Sequence, residues 1–269
     1  MSCYNFKKIY YNNSIFSKSI DATYIIHLEG NNNRYNNIVN QLKKFKPTNI
    51  VYILYNKGWK NCIKDKYITN TAKDLVDCNI NIFEHANKNN YNNILILEDD
   101  FIFDSKINES NNINNINKFL LKKINKSFTF YLGTLPFLFI PYNFNIHKSL
   151  INFYTHSVVF SKKYRNEILK YNYKDINCWD FFQIHFNKNK YYYKIPLCYQ
   201  LVEKTDNSDN WLISNNIKSF YLNLAHLLDA HNNPKIFFYL FYIISYLIVF
   251  IIIMLCVIII YKIKKMIIK

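Results

Sequence analysis

"ILILEDDFIFD", residues 94–104, decides the reading of this chain. Four apolar residues run straight into three acids, and two phenylalanines follow at once. An apolar run of this kind reads as a strand buried on both faces, so the acids stand at its carboxyl end. Adjacent carboxylates repel one another and are costly beside a sheet unless something compensates them. A hard divalent cation does so through oxygen ligands that also hold phosphate oxygens; a solvated acidic turn or helix cap is the local alternative. Side chains alternate along a strand, so Glu98 and Asp100 are expected on one face while Asp99 turns away to hold neighbouring loops.

Upstream of the acids, "TYIIHL" (23–28) and "NIVYILY" (49–55) read as two more buried strands. Between them Ile38, Val39, Leu42 and Phe45 recur at helical spacing, and Ala72, Leu75, Val76, Ile82, Phe83 and Ala86 mark one or two helices before residue 93. Strands alternating with helices predict a mostly parallel sheet covered on both faces, in which ligands bind beyond the carboxyl ends of the strands. Downstream, 113–124 reads as a helix and 127–133 as a strand turning at Gly133. A further strand is expected over 153–161, followed by a helix capped by Ser161. Residues 1–22 read as a polar extension and 211–235 as an amphipathic connector.

The chain carries a formal net charge of +16, but its lysines are scattered singly rather than gathered into a stripe. That pattern describes a solvated surface, and no nucleic-acid partner is expected. The abundance of Lys, Asn, Ile, Tyr and Phe follows A/T-rich codons. None of the six cysteines forms a CxxC pair, so no zinc or disulfide framework is expected, and a reducing compartment is the default.

Residues 236–261, "IFFYLFYIISYLIVFIIIMLCVIIIY", contain no charge. As a helix they measure about 39 Å at 1.5 Å per residue, against a hydrocarbon core of about 30 Å, which predicts a membrane span with a basic tail at 262–269. "MSCYNFKKIYYNNS" lacks the apolar stretch of a signal peptide, which argues for insertion after synthesis and a cytosolic domain. Lys262, Lys264, Lys265 and Lys269 follow the span while only Lys235 closely precedes it, and that asymmetry argues for the opposite orientation. The cytosolic placement is the expectation taken here.

The order of these blocks resembles glycosyltransferase family 25, which includes bacterial lipooligosaccharide and collagen galactosyltransferases. "YIIHLEGNNNR" is similar to that family's opening strand, turn and Arg, and "NILILEDDFIF" to its Leu-Ile-Leu-Glu-Asp-Asp signature. "FTFYLGT", "THSVVFSKKYRNEILKY", "CWDFFQIHF" and "IPLCYQ" resemble its later blocks in order, so the likeness covers about residues 23–200. The resemblance implies a GT-A-like domain over 23–210 and inverting transfer of a hexose such as galactose or glucose from a nucleotide-sugar donor, a UDP-sugar, to a hydroxyl on a glycan, protein or lipid acceptor. It also implies Mn²⁺, or Mg²⁺, held at Glu98, Asp99 and Asp100.

Asp180, which matches the family's late Asp and sits among aromatics, is the candidate catalytic base, with His156 the second; a hydrogen-bonded structural Asp and a buried core His are the alternatives. Arg34 and Gln200 are the candidate donor-binding residues. His27 stands where the family has Asn, and the Ser-His-Leu expected upstream of the acids and the Gly-Ala pair expected before "EILKY" are absent. A catalytically inactive GT-A-like module in a membrane or virion therefore stays open, as does a phosphoryl or nucleotidyl transferase using two metals.

Overall fold

The structure is a computed structural model and describes residues 2–201, 215–230 and 232–267. The beginning of the expected connector, residues 211–214, lies outside the described residues.

A nine-stranded mixed sheet carries the domain. Its parallel part contains β2 (Ala22–Leu28), β3 (Ile50–Asn56) and β4 (Asn93–Glu98), with β2 hydrogen-bonded to both neighbours. The helices between them are α1 (Asn32–Lys44) and α2 (Thr71–Lys88), capped by the side chains of Asn31 and Asn70; such caps satisfy an amide the helix leaves open. On the other flank of β4 lie β9 (Ser157–Ser161), antiparallel to it, then β6 (Thr129–Tyr131), β10 (Lys190–Tyr193), β8 (Ile146–Phe153) and β7 (Leu135–Pro141). A small ribbon pairs β5 (Phe101–Phe103) with β11 (Cys198–Gln200).

Alternation sorts the strand residues between two cores. Ile25, Val51, Ile53, Leu95 and Leu97 pack with Ile38 and Leu42 of α1 and with Phe119 and Leu120 of α3 (Ser110–Lys122). Tyr24, Tyr52, Leu54, Ile94 and Ile96 face α2, Tyr164 and Ile168 of α4 (Lys162–Leu169), and Trp179 of α5 (Trp179–Phe186). The expected helices on both faces are present, and Ser161 caps α4 as its position suggested. Arg165 is fully buried, yet its guanidinium donates to the carbonyls of Tyr91, Asn92 and Phe160 and to Asn87 Oδ1. One buried cation thus ties the entrance of β4 to α4.

Two parts of the chain differ from expectation. The polar N-terminus is not an appendage: Tyr4–Tyr10 forms β1, antiparallel to β3 at the sheet edge. Cys3 is disulfide-bonded to Cys62, contrary to the expectation of no disulfide. The two lie 59 positions apart in sequence, and only the addition of β1 beside the loop after β3 brings the two sulfurs together. That loop delivers Lys64 into a buried cluster, where it pairs with Asp74 and donates to Tyr4 Oη (2.7 Å) and Asn56 Oδ1 (2.6 Å).

The second difference is the β7–β8 hairpin. The strand expected over 153–161 is two strands, broken at Tyr154, whose φ of 72° turns the chain out of extended geometry.

Among the described residues one helix, α7 (Pro234–Ile267), is long and apolar enough to cross a membrane. It follows α6 (Asn215–Leu227). Its first turns belong to the domain: Phe237, Phe238, Tyr242 and Ser245 are buried, with Phe238 against Tyr199 and Tyr154 and Tyr246 against Phe139 and His147. From Phe250 to Met266 every residue is exposed.

Candidate active site

β4 sits at the middle of the sheet, between parallel β2 and antiparallel β9, and the three acids leave its carboxyl end. Each carboxylate meets different surroundings. Glu98 shares the parity of Ile94 and Ile96, which places it on the α5 side of the sheet. Its backbone N–H donates to the His156 carbonyl at 3.0 Å. Burial, then the charges of Asp180 and Asp99, pushes its carboxyl up to about 8, with Arg34 pulling the other way. The charge interaction brings Asp180, 82 positions away in sequence, into the field of the acids.

Asp99 turns toward β2. Its Oδ2 lies 3.0 Å from His27 Nδ1 and 3.4 Å from the Leu28 amide, which donates to it. Asn37 lies one turn beyond Arg34 on α1. It donates to the carbonyls of Asp99 (3.0 Å) and Phe101 (2.9 Å), fixing the backbone on both sides of Asp100. Asp100 is buried. Its Oδ2 accepts from Gln200 Nε2 at 3.0 Å and forms an ion pair with Arg34 Nη1, also at 3.0 Å, and its carbonyl accepts from the Leu201 amide. Its Oδ1 is buried with no hydrogen-bond partner among the described residues.

Asp180 stands in the first turn of α5, where negative charge is favourable. Thr155 Oγ1 donates to it at 2.5 Å. Burial raises its carboxyl above the ordinary range despite that hydrogen bond. His156 is fully enclosed, its Nε2 3.4 Å from the Cys198 carbonyl and its ring edge-on to Phe238. Burial lowers it to about 4, so it is neutral at physiological pH.

Gly133 allows β11 to pass this close. A Cβ there would lie 1.7 Å from the Cys198 carbonyl oxygen and 3.1 Å from His156 Nε2. The approach carries β11 beside β5 and places Gln200 over Asp100.

The structure therefore gathers Glu98, Asp99, Asp100, Arg34, Asp180 and Gln200 from four separate stretches and sets His156 behind them. Among the described residues no three His, Cys, Asp or Glu side chains come together in metal-ligating geometry. The donor type alone is that of a hard divalent cation: carboxylate oxygens, one of which, Asp100 Oδ1, is buried without a hydrogen-bond partner among the described residues. Sequence reasoning missed Asn37 and Thr155. The first was legible as a polar residue three positions after Arg34 on the same helix face; no local signal marks the second.

Beyond the His27 side, a cleft of about 730 Å³ opens between Tyr4, Lys7, Tyr55, Lys57 and Glu29. A smaller hollow over Leu28–Asn33 adjoins it at Glu29. The acids flank these clefts rather than line them, joined through the Leu28–Asp99 hydrogen bond. Comparisons with known proteins add no assignment: no protein-family profile matches the chain, and no curated protein does.

Proposed function

We propose that this chain is a membrane-anchored, metal-dependent glycosyltransferase of GT-A-like architecture that moves a hexose from a UDP-sugar to an acceptor hydroxyl. The observation that carries the reading is the clustering of Glu98, Asp99 and Asp100 at the end of the central strand, with Arg34 Nη1 3.0 Å from Asp100 Oδ2 and the charge of Asp180 acting on Glu98. Unlike-environment carboxylates at the carboxyl edge of an α/β sheet suit a reaction in which one group takes a proton while others manage negative charge.

In this reading Glu98, Asp99 and the free oxygen of Asp100 would hold Mn²⁺ or Mg²⁺. When bound, the cation supplies charge neutralisation for a departing diphosphate. The chain's own residues do the rest. Arg34, anchored on Asp100, adds positive charge where phosphates would lie. Thr155 holds Asp180 in place, and the raised affinity of Asp180 for a proton suits a base that accepts the acceptor's hydroxyl proton. The new bond forms at the sugar's anomeric carbon as its bond to the diphosphate oxygen breaks, with inversion. Gln200 keeps Asp100 oriented. His156, sealed from solvent, holds the end of β9 through its backbone contact with Glu98. Tyr55, with Lys7 and Lys57 in the adjoining cleft, would face the nucleoside part of the donor.

α7 serves as the anchor in this proposal. The Cys3–Cys62 disulfide speaks for an oxidising compartment, and Lys262, Lys264 and Lys265 speak for a cytosolic tail. Together they favour a domain facing away from the cytosol, the reverse of the cytosolic placement expected from the sequence.

The test uses the full chain in detergent, a panel of nucleotide sugars and Mn²⁺, with release of nucleotide diphosphate as the readout. Slow donor hydrolysis is expected, lost with chelator and with Asp180→Asn. Thermal stabilisation by UDP and Mn²⁺ without turnover would instead identify an inactive module. A folded sample that shows neither effect refutes the proposal.

A further inference from the structure

Helix α7 fixes where the membrane lies relative to the domain. Phe238 packs near Leu135, Tyr154 and His156, at the open end of the β7–β8 hairpin. Eight residues later Tyr246 Oη lies 2.6 Å from His147 Nε2, and its ring packs on Phe139, close to the turn. The helix therefore ascends the hairpin toward that turn. The uncharged stretch from Leu247 to Tyr261 is about 22 Å long at 1.5 Å per residue, less than a hydrocarbon core of about 30 Å, so the core begins no later than Leu247. The bilayer surface on the domain side then lies no farther along the helix than about Tyr246, and the hairpin turn, two or three residues past His147, reaches that level.

The residues at that turn are unlike an ordinary loop. Phe144 is 87% exposed, Ile140 52% and Tyr142 40%, three large apolar side chains grouped at one tip. Lysines surround them: Lys194 Nζ lies 4.4 Å from the Phe144 ring centroid and Lys123 Nζ 4.9 Å from that of Tyr142. Exposed aromatics each flanked by a lysine match the interfacial layer of a bilayer, where rings sit at headgroup depth and ammonium groups meet lipid phosphates.

We propose that the β7–β8 turn, Ile140–Ile146, is a second membrane contact, seated in the headgroup layer beside the span and favouring anionic lipid. The proposal rests on reading α7 as a membrane anchor. Two points of attachment stop the domain from swivelling about a single helix. They hold the acid cluster, level with Phe238, about 12 Å along the helix from Tyr246.

The test reconstitutes the full chain into phosphatidylcholine–phosphatidylserine vesicles, with or without lipid brominated high in the acyl chains. Phe144→Trp, Phe250→Trp and Ile63→Trp are compared with the unaltered chain, whose own tryptophans give the baseline. Ile63 is fully exposed in the loop joined to β1, at the opposite sheet edge. The added emission of Phe144→Trp is expected to shift to the blue and to be lost to brominated lipid, that of Phe250→Trp likewise, and that of Ile63→Trp not at all. Quenching at 250 without quenching at 144 overturns the hairpin contact and spares the anchor; quenching at neither overturns both. A blue shift at 144 that brominated lipid leaves untouched would mean that protein, such as a second copy of the chain, covers the turn, and would also overturn the proposal.

Discussion

Arg34 Nη1 lies 3.0 Å from Asp100 Oδ2, with both side chains almost wholly removed from solvent. The pair joins the first turn of α1 to the end of β4 across 66 positions of sequence. Removing one member of a buried ion pair strands the other and costs about 3–5 kcal/mol. Arg34→Met should therefore lower stability by that order in chemical denaturation of the full chain in detergent, besides impairing any binding of UDP with Mn²⁺.

Gly133→Ala places a methyl group against a backbone carbonyl, which cannot rotate away as a side chain can. Overpacking of this kind costs about 1–3 kcal/mol. Because β11 must shift, the Gln200–Asp100 hydrogen bond should loosen too. Thermal unfolding should show the stability loss, and hydrogen exchange should show reduced protection of the β5–β11 amides.

His147 gives a pH dependence with a definite sign. Burial first, then the charge of Lys194, lowers it from 6.5 to about 4. Tyr246 of α7 and Tyr192 of β10 face its ring. The unfolded chain takes up the proton before the folded one, so this contribution to stability is full above pH 6.5 and fades as pH falls toward 4. His147→Phe should flatten that part of the stability–pH curve. His156 titrates in the same direction, and its share should remain.

The disulfide predicts a mobility difference between reduced and unreduced chain on a denaturing gel, absent in Cys62→Ser. Loop-closure arguments put its stabilisation at about 4 kcal/mol for a separation of this length. Reduction should first free β1 and the Lys64 loop, because both lie at the sheet edge.

How much of this was legible depends on what each element reports locally. β2, β3 and β4 show as continuous apolar runs because both of their faces are buried, and α1 and α2 show as helical spacing because one face of each is. β1 does not: "YNFKKIY" sits on an exposed edge, and its lysines hide the strand. Pro136 and Pro141 disguise β7, which tolerates them because it too is an edge. The acids and Arg34 announced themselves as charges beside apolar runs. Thr155 did not, and Asp180 and Gln200 were named only through the family resemblance, because the turns that bring these residues in, at Gly133 and Tyr154, have directions that no local pattern encodes.

The burial of Phe238, Tyr242 and Ser245 has a practical consequence for anyone who wishes to work without lipid. Cutting the chain ahead of α7 would strip cover from Phe139, Tyr192 and Tyr199 and leave an adhesive wall on the domain. A soluble version should instead end just after Val249, where the helix ceases to be upholstery for the sheet.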